Sequence, residues 1–307
     1  MRILLQTPGS DTEVWRAALA AVLPQARIMV WPDVPADPDY ALVWRPPSEL
    51  FATVKAPKAI FNLGAGVDAL LAVPTLPADV PVIRLTDAGM AEQMAEYVTF
   101  AVLHAYREMH AYAAQQREGR WQPRPRLAKS GFGVGVMGFG VLGQAIASSL
   151  APFGFPLAAW SRARKSTAGV TSFAGTNELS PFLAMAKVLV CTLPLTPETA
   201  GILDAGTLLQ LPPGAHVVNI ARGELVVDAD LLALLDSGQI AGATLDVFRA
   251  EPLPADHPFW HHPRITVTPH VSAATLIPDS IAQVAAGIMR LEEGLAVTGQ
   301  VDRIAGY

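Results

Sequence analysis

The sequence predicts an α/β protein with two doubly wound parallel-sheet domains. Short apolar strands alternate with helices along the first ninety residues, and a second alternation begins near residue 131. A glycine-rich turn, Gly138-Phe139-Gly140-Val141-Leu142-Gly143, separates a strand-like apolar run from a helix-like one. Repeated alternation of this kind builds parallel sheets covered by helices on both faces.

Composition limits the classes of function. The chain has 307 residues, of which 51% are hydrophobic, so one large or two medium domains with a sizeable core are expected. The net charge of −5 argues against a surface for nucleic acid or acidic membranes. There is neither a secretory signal nor an apolar run of membrane-spanning length, which predicts a cytoplasmic protein. Cys191 lies in an apolar run and is expected to be a buried strand residue.

The pattern of the first third of the chain predicts the strands of one sheet and the helices that connect them. A helix fits residues 12–23 and ends at Pro24, and a long helix with an apolar stripe fits residues 91–117. A linker rich in Pro and Arg follows at residues 121–129. The expected strands are residues 3–6, 27–31, 40–44, 59–63 and 80–85.

The second alternation predicts another sheet, and a final helix at residues 273–294 could return the chain to the first domain. The expected strands are residues 133–137, 156–160, 187–192, 216–220, 243–247 and 264–268. The expected helices are residues 141–150, 178–185, 204–210 and 228–236.

The glycine turn at residues 138–143 predicts a dinucleotide site. Glycines let the backbone turn tightly and approach a pyrophosphate, whose charge is met by the N–H groups of the helix start. A second segment, Gly64-Ala65-Gly66-Val67, also follows a strand. Its backbone N–H groups either bind an anion or simply form a tight turn.

The segment after the second strand of this domain favours NADP over NAD. NAD-binding domains usually place an acid there for the ribose 2′-hydroxyl, but no carboxylate occurs between Gly143 and Glu178. Ser161, Arg162, Arg164, Lys165 and Ser166 stand there instead. Guanidinium, ammonium and hydroxyl groups suit a 2′-phosphate. The alternative is a solvated basic turn.

Three later segments contain the residue types that carbonyl reduction needs. Arg222, Asp246 and His270 each follow a predicted strand, and Glu251 precedes Pro252. Ligands of open parallel sheets bind at the carboxyl ends of strands. The alternatives are an arginine that caps a turn, a surface glutamate and a core histidine. No histidine has a convincing set of Cys or carboxylate partners, so no metal site is predicted.

With Arg222, Glu251 and His270 in this order after the glycine turn, the sequence resembles the D-isomer-specific 2-hydroxyacid dehydrogenases. Residues 219–223, 245–248 and 268–270 carry the resemblance, and residues 193–199 match the family's cofactor loop. Residues 41–44, 63–68 and 299–303 are similar to those of the short bacterial glyoxylate/hydroxypyruvate reductases of the A type.

The resemblance implies a Rossmann-type NADP-binding domain, residues 99–274, inserted into a flavodoxin-like substrate domain, residues 1–98 and 275–307. It implies a homodimer that reduces small 2-keto acids with NADPH, with no nucleic acid or membrane partner. His270 would donate a proton, Glu251 would hold its imidazole in the charged form, and Arg222 would grip the substrate carboxylate. The implied substrate contacts are Trp44, Ala65, Gly66, Val67 and Arg222. The implied cofactor contacts are Gly138, Gly140, Val141, Leu142, Gly143, Ser161, Arg162, Arg164, Lys165, Leu193, Pro194, Thr199, Ile220, Ala221 and Asp246.

Two other functions fit the same residues. A regulatory protein of this fold would bind the dinucleotide and turn over slowly, but the full Arg, Glu and His set argues against it. A dehydrogenase for branched or aromatic 2-keto acids would keep the chemistry and change only the pocket. Trp44 either limits substrate size or packs in the core.

Overall fold

The structure is a computed structural model that describes residues 1–7 and 11–307. The chain forms two compact units, one made of Met1–Met90 and Thr275–Tyr307 and the other of Ala91–Ala274. The second unit is therefore inserted, along the chain, between the two segments of the first. The boundary predicted between residues 98 and 99 falls inside a continuous helix, Met90–Tyr106.

The first unit contains a five-stranded parallel sheet with the strand order β2-β1-β3-β4-β5. This is the flavodoxin-like order of doubly wound sheets, which confirms the predicted fold class for this unit. Its elements are β1 (Arg2–Gln6), α1 (Thr12–Val22), β2 (Arg27–Val30), β3 (Tyr40–Val43), α2 (Leu50–Thr53), β4 (Ala59–Asn62), α3 (Asp68–Leu71) and β5 (Val82–Arg84).

The second unit contains a seven-stranded parallel sheet. The helices are α4 (Met90–Tyr106), α5 (Met109–Arg117), α6 (Val141–Leu150), α7 (Leu179–Met185), α8 (Ala205–Leu208) and α9 (Asp228–Ser237). The strands are β6 (Val134–Met137), β7 (Leu157–Ser161), β8 (Val170–Ala174), β9 (Val188–Cys191), β10 (Ala215–Asn219), β11 (Ile240–Leu245) and β12 (Ile265–Val267).

The strand order of this sheet, β12-β11-β10-β9-β6-β7-β8, is that of a Rossmann-type dinucleotide-binding sheet extended by β12. The order reverses between β6 and β9, and α6 begins directly after β6. Ligands of doubly wound sheets bind at such a reversal, so the fold places the glycine turn at a position where a dinucleotide can bind.

Successive side chains of the central strands point into apolar cores on opposite faces of this sheet. Val134 and Val136 of β6 belong to one apolar core, whereas Met137 belongs to the other. In β9, Val188 and Val190 face the first core, while Leu189 and Cys191 face the second. Strands buried on both faces are continuous apolar runs, which is how they were predicted.

The last helix, α10 (Ile277–Glu292), returns the chain to the first unit. It begins four residues later than predicted, because Pro278 fits only the first turn of a helix. The predicted helix 91–117 is also interrupted. Glu108 has a φ of 52°, a left-handed conformation that separates α4 from α5. Within the described residues, no helix is both long and apolar enough to cross a membrane.

Candidate active site

The predicted chemical residues follow three neighbouring strands of the seven-stranded sheet. Asn219 of β10 is in register with Leu245 of β11, which is in register with Val267 of β12. Arg222, Asp246 and His270 come one to three residues after these positions. All three therefore leave the carboxyl edge of the sheet, where ligands of such sheets bind.

His270 and Glu251 form a hydrogen-bonded pair. Nδ1 of His270 lies 2.9 Å from Oε2 of Glu251, and the two side chains are 37% and 24% exposed. The other carboxylate oxygen, Oε1, accepts the Phe248 backbone N–H at 3.1 Å, which fixes the orientation of the acid. With Nδ1 facing the carboxylate, Nε2 is the nitrogen that can exchange a proton with a ligand.

Asp246 holds the backbone that carries His270. Its carboxylate is fully buried and accepts the backbone N–H groups of Val271 and Ser272 at 2.9 and 2.8 Å. His270 has a φ of 55°, and its own N–H donates to the Asp246 carbonyl at 2.8 Å. Such a left-handed residue persists only where its surroundings fix it. Asp246 thus fixes the position of the imidazole through the main chain.

A hydroxyl chain reaches the same carboxylate from α4. The Thr268 hydroxyl donates to Oδ1 of Asp246 at 2.6 Å, and the Tyr97 hydroxyl lies 2.6 Å from Oγ1 of Thr268. Because the Thr268 proton is used on Asp246, Tyr97 is the donor to Thr268. Burial raises the pKa of Tyr97 to about 12, so its hydroxyl keeps its proton at neutral pH.

Arg222 is positioned by the end of β10. The buried Asn219 donates from Nδ2 to the Arg222 carbonyl at 2.8 Å, and its Oδ1 accepts the Ala221 N–H at 3.1 Å. Nη1 of Arg222 donates to the Ala221 carbonyl at 2.6 Å. A Cβ on Gly223 would stand 1.9 Å from the Phe248 carbonyl carbon, so the segment after Arg222 packs directly on the β11 loop.

The glycine turn has the close contacts that its residue types predict. Gly138 has a φ of 101°, and a Cβ on Gly143 would lie 2.1 Å from the Gly138 carbonyl oxygen. Thr192, after β9, donates its hydroxyl to the same carbonyl at 2.6 Å. Beyond its chain neighbours, no described atom lies within 4 Å of the Cβ position of Gly140, so the turn is open on that side. An open, glycine-lined helix start of this kind suits a pyrophosphate.

The basic turn at residues 162–165 is exposed, and its cations point in different directions. Nζ of Lys165 donates to the Phe139 carbonyl at 2.6 Å and so contacts the glycine turn. Arg164 instead pairs with Glu178 at 2.5 Å and donates to the Ser172 carbonyl. The Ser161 hydroxyl donates to the Ala163 carbonyl at 2.8 Å, which stabilises the turn itself.

The remaining predicted cofactor residues lie in ordered loops after β9 and β10. The Thr199 hydroxyl donates to the Pro194 carbonyl at 2.7 Å and accepts the Thr196 N–H at 2.8 Å, closing the loop that begins at Leu193. Ile220 and Ala221 are buried directly after β10.

Trp44 and the 64–67 loop lie in the first unit, after β3 and β4 respectively. Leu63 donates its N–H to the Val43 carbonyl at 2.9 Å, so the two segments leave neighbouring strands. The loop and Trp44 are thus brought together at the carboxyl edge of the five-stranded sheet.

Cys191 lies in the core, whereas His257 and His262 each stand beside a carboxylate, Asp228 at 3.5 Å and Asp236 at 3.4 Å. Cys191 is fully buried as predicted, and burial raises the pKa of its thiol to about 12. Over residues 1–7 and 11–307, no three His, Cys, Asp or Glu side chains are placed to hold a metal ion.

Sequence reasoning assigned no role to Asn62, Tyr97, Asn219 or Thr268. Asn62 and Asn219 are buried polar residues at the ends of β4 and β10. A polar residue that ends an apolar run is a signal that the sequence contains. Tyr97 lies on the apolar stripe of α4 and gives no such signal. Its hydroxyl contacts Thr268, which is 171 residues away in sequence, so only the folded structure reveals this contact.

A dinucleotide-binding sheet with an imidazole–carboxylate pair at its carboxyl edge has the features of a nicotinamide-dependent dehydrogenase. The family model described as D-isomer specific 2-hydroxyacid dehydrogenase, NAD binding domain, matches residues 99–272. Glyoxylate/hydroxypyruvate reductase A of Escherichia fergusonii is 50% identical over 313 aligned positions, which cover 100% of both proteins. The chain belongs to the D-isomer-specific 2-hydroxyacid dehydrogenase family.

Two solved structures are similar over the whole chain. A D-isomer specific 2-hydroxyacid dehydrogenase from Xanthobacter autotrophicus Py2, in complex with NADPH and MES, is 41% identical with a TM-score of 0.95, covering 100% of this chain and 99% of that one. An NADPH-dependent glyoxylate/hydroxypyruvate reductase from Sinorhizobium meliloti, in complex with NADP and sulfate, is 36% identical with a TM-score of 0.93 and the same coverage. The predicted family resemblance is therefore confirmed.

Proposed function

We propose that the chain reduces small 2-keto acids with NADPH, converting glyoxylate to glycolate and hydroxypyruvate to D-glycerate. The observation that carries this proposal is the His270–Glu251 pair, 2.9 Å apart. Glu251 follows β11 and His270 follows β12, and β11 lies between β12 and β10, the strand that precedes Arg222. The relatives from Escherichia fergusonii and Sinorhizobium meliloti, both named as glyoxylate/hydroxypyruvate reductases, support the substrate class.

The residues of the second unit fit NADPH. The α-carbon of Gly140 faces open space, and the turn after β7 carries cations with no acid between Gly143 and Glu178. NADPH and NADP in the neighbouring structures support the choice of cofactor. The glycine turn, the segment 161–165 and the loops after β9 and β10 would hold it. When bound, NADPH supplies the hydride that the keto carbon needs.

Arg222 binds the carboxylate of the substrate and polarises its keto group. A guanidinium offers a planar fork of donors that matches a carboxylate, and Arg222 has one N–H fixed on the Ala221 carbonyl. This bond helps to orient the guanidinium. In the first unit, we assign the backbone N–H groups of Ala65, Gly66 and Val67 as donors to a substrate carboxylate.

His270 is the proton donor. Its Nδ1–H is held by Glu251, so the imidazolium gives up its Nε2 proton to the keto oxygen, which becomes the hydroxyl of the product. The Glu251 carboxylate stabilises the positive charge before transfer. For Asp246 the geometry supports a positioning role toward His270, because its carboxylate accepts Thr268, Val271 and Ser272.

A spectrophotometric assay tests the proposal. The absorbance of NADPH should fall when glyoxylate or hydroxypyruvate is added, and NADH should be a poorer reductant. Tight NADPH binding without turnover of any 2-keto acid would favour the regulatory alternative. Faster reduction of a branched or aromatic 2-keto acid than of glyoxylate would contradict the proposed substrate size and the role of Trp44 as the pocket wall.

The remaining expectations are part of the same proposal. The first unit acts as the substrate domain and the second as the NADP domain, and the protein is a cytoplasmic homodimer. Light scattering coupled to size-exclusion chromatography measures the mass of the assembly, and cell fractionation measures the location. A monomer in solution or membrane-associated activity would contradict these expectations.

A further inference from the structure

Asn62 is a buried polar residue to which the mechanism has assigned no role. It is the last residue of β4 and only 2% exposed. Its Nδ2 donates to the Gly64 carbonyl and to the Gly66 carbonyl, both at 2.9 Å. A primary amide has two N–H donors, so both are used within the 64–67 loop.

These two bonds determine which way the backbone of the loop faces. In a planar trans peptide the C=O of one residue and the N–H of the next point in opposite directions. Since the carbonyls of Gly64 and Gly66 point at Asn62, the N–H groups of Ala65 and Val67 point away from it. The Leu85 N–H also donates to the Gly64 carbonyl, at 3.2 Å, and holds that peptide from a second side.

The loop donors are available for a ligand. No residue within 1–7 or 11–307 accepts a hydrogen bond from the N–H groups of Ala65, Gly66 or Val67. The peptide between Ala65 and Gly66 has no bond to Asn62, so only two of the three donors have their direction set in this way.

We propose that Asn62 is the positioning residue that aims the N–H groups of Ala65 and Val67 at the substrate carboxylate. The inference rests on the proposed function, in which this loop binds that carboxylate. Asparagine suits the position because its side chain offers two donors to two carbonyls. An apolar residue would leave both carbonyls without this partner, and an aspartate would oppose carboxylate oxygen to carbonyl oxygen.

The expected kinetic effect is a rise in KM rather than a fall in kcat. The carboxylate does not react, so its contacts are equally strong in the ground state and the transition state, and losing them removes uniform binding. Asn62→Ala should raise the KM for glyoxylate about tenfold or more while the KM for NADPH and kcat change by less than about threefold.

Tyr40→Phe is the matched control. Tyr40 is a buried residue at the opposite, amino end of the same sheet, and its hydroxyl donates to Glu292 at 2.5 Å. The variant also loses a hydrogen bond of the first unit, but it should leave the KM for glyoxylate unchanged. Thermal unfolding of both variants shows that each is folded at the assay temperature.

Asn62→Asp provides a second variant in case Asn62→Ala unfolds. A buried aspartate facing two carbonyls has a raised pKa, and once protonated it again donates one hydrogen bond. Its KM for glyoxylate, relative to that of the wild type at each pH, should therefore decrease from about pH 8 to about pH 6. A purely structural role of Asn62 would change the stability of the variant with pH but leave the KM of the folded variant at the wild-type value.

Calorimetric binding of oxalate, a small dicarboxylate, separates the two levels of the proposal. If the wild type reduces no 2-keto acid, the proposed function fails, and oxalate binding still tests Asn62. Weaker oxalate binding by Asn62→Ala than by Tyr40→Phe supports the inference. Equal binding by the two, or an unchanged KM for glyoxylate in Asn62→Ala, overturns it.

Discussion

The indole ring of Trp44 lies directly on the α-carbon of Gly64. A Cβ at position 64 would stand 2.0 Å from Cζ3 and 2.6 Å from Cη2 of the ring, which is far inside van der Waals contact. A side chain at this position would collide with the ring, although the backbone angles of Gly64 are ordinary. The placement of Trp44 and the shape of the 64–67 loop are consequently coupled.

The first prediction uses this contact. Gly64→Ala should displace the Trp44 ring and raise the KM for glyoxylate. It should also lower the ratio of kcat/KM for glyoxylate to kcat/KM for bulkier 2-keto acids. Comparing kcat/KM for glyoxylate and an aromatic 2-keto acid measures the preference. Gly131→Ala is the control, since no described atom beyond its chain neighbours lies within 4 Å of its Cβ position. An unaltered preference in Gly64→Ala would remove Trp44 from substrate selection.

The second prediction concerns the acid pair. His270→Gln should lower kcat by about 10²- to 10⁴-fold, the usual contribution of a positioned general acid, while NADPH still binds. Glu251→Gln keeps the size of the side chain and removes its charge, so kcat should also fall. Stopped-flow turnover and fluorescence titration of NADPH measure the two quantities. Near-normal turnover of His270→Gln would exclude His270 as the proton donor.

The third prediction concerns the hydroxyl chain to Asp246. Thr268→Val keeps the shape of the side chain but removes a donor to a fully buried carboxylate, which should lower the free energy of unfolding by about 1.5–3 kcal/mol. The exposed Thr266 of β12 supplies the control Thr266→Val, which should have little effect. Urea unfolding measures both variants. Tyr97→Phe should show a smaller loss, because it leaves the Thr268–Asp246 bond in place.

The fourth prediction concerns the choice between NADPH and NADH. Lys165→Met removes a cation that contacts the glycine turn, and Arg162→Glu reverses a charge in the same exposed turn. Both should raise the KM for NADPH more than that for NADH, since only NADPH carries a 2′-phosphate. Lys55→Met removes an exposed cation of the first unit and should change neither constant. Equal effects on both cofactors would argue that the turn is merely solvated.

The fifth prediction concerns acid stability. Burial lowers the pKa of His216 from 6.5 to about 3, and His110, Lys187 and His104 act in the same direction. Between these values the unfolded chain binds a proton that the folded chain does not, so stability falls as the pH decreases through this window. One histidine contributes at most about 1.4 kcal/mol per pH unit.

His216→Asn should therefore lose less stability than the wild type between about pH 6.5 and about pH 4. Thermal unfolding across this range measures the slope. The exposed His261 supplies the control His261→Gln, whose slope should match that of the wild type. Identical slopes for His216→Asn and the wild type would contradict the buried neutral state of this imidazole.

The parts of the fold that follow from local pattern were predicted. Apolar runs predicted all but one of the strands and therefore both sheets. Helically spaced apolar residues predicted the longer helices. The missed strand, β8, lies at the sheet edge and carries Thr171 and Ser172, so it has no apolar run to reveal it. The break between α4 and α5 was also missed, because the left-handed Glu108 has no glycine signal.

The candidate site likewise has residues that the sequence indicates and contacts that only the fold creates. Arg222, Glu251 and His270 were predicted as site residues because each comes after an apolar strand and their order is typical of a family. The structure brings Glu251 to His270. The hydrogen bonds that orient them join residues far apart in sequence, such as Thr268 to Asp246 and Tyr97 to Thr268. The left-handed backbone of His270 likewise depends on tertiary contacts, which no single-sequence pattern encodes.

The insertion of the second unit has a consequence for biosynthesis. The five strands of the first unit all lie before residue 85 and are synthesised early. The helix that returns the chain to this unit, α10, is synthesised after the whole inserted unit. Glu292 accepts the Tyr40 hydroxyl, and Oε1 of Gln283 accepts the Thr86 N–H at 3.2 Å, so early and late residues complete one unit together. The nascent five-stranded sheet must remain incompletely covered while the inserted unit is synthesised, and this interval is where chaperone dependence should concentrate.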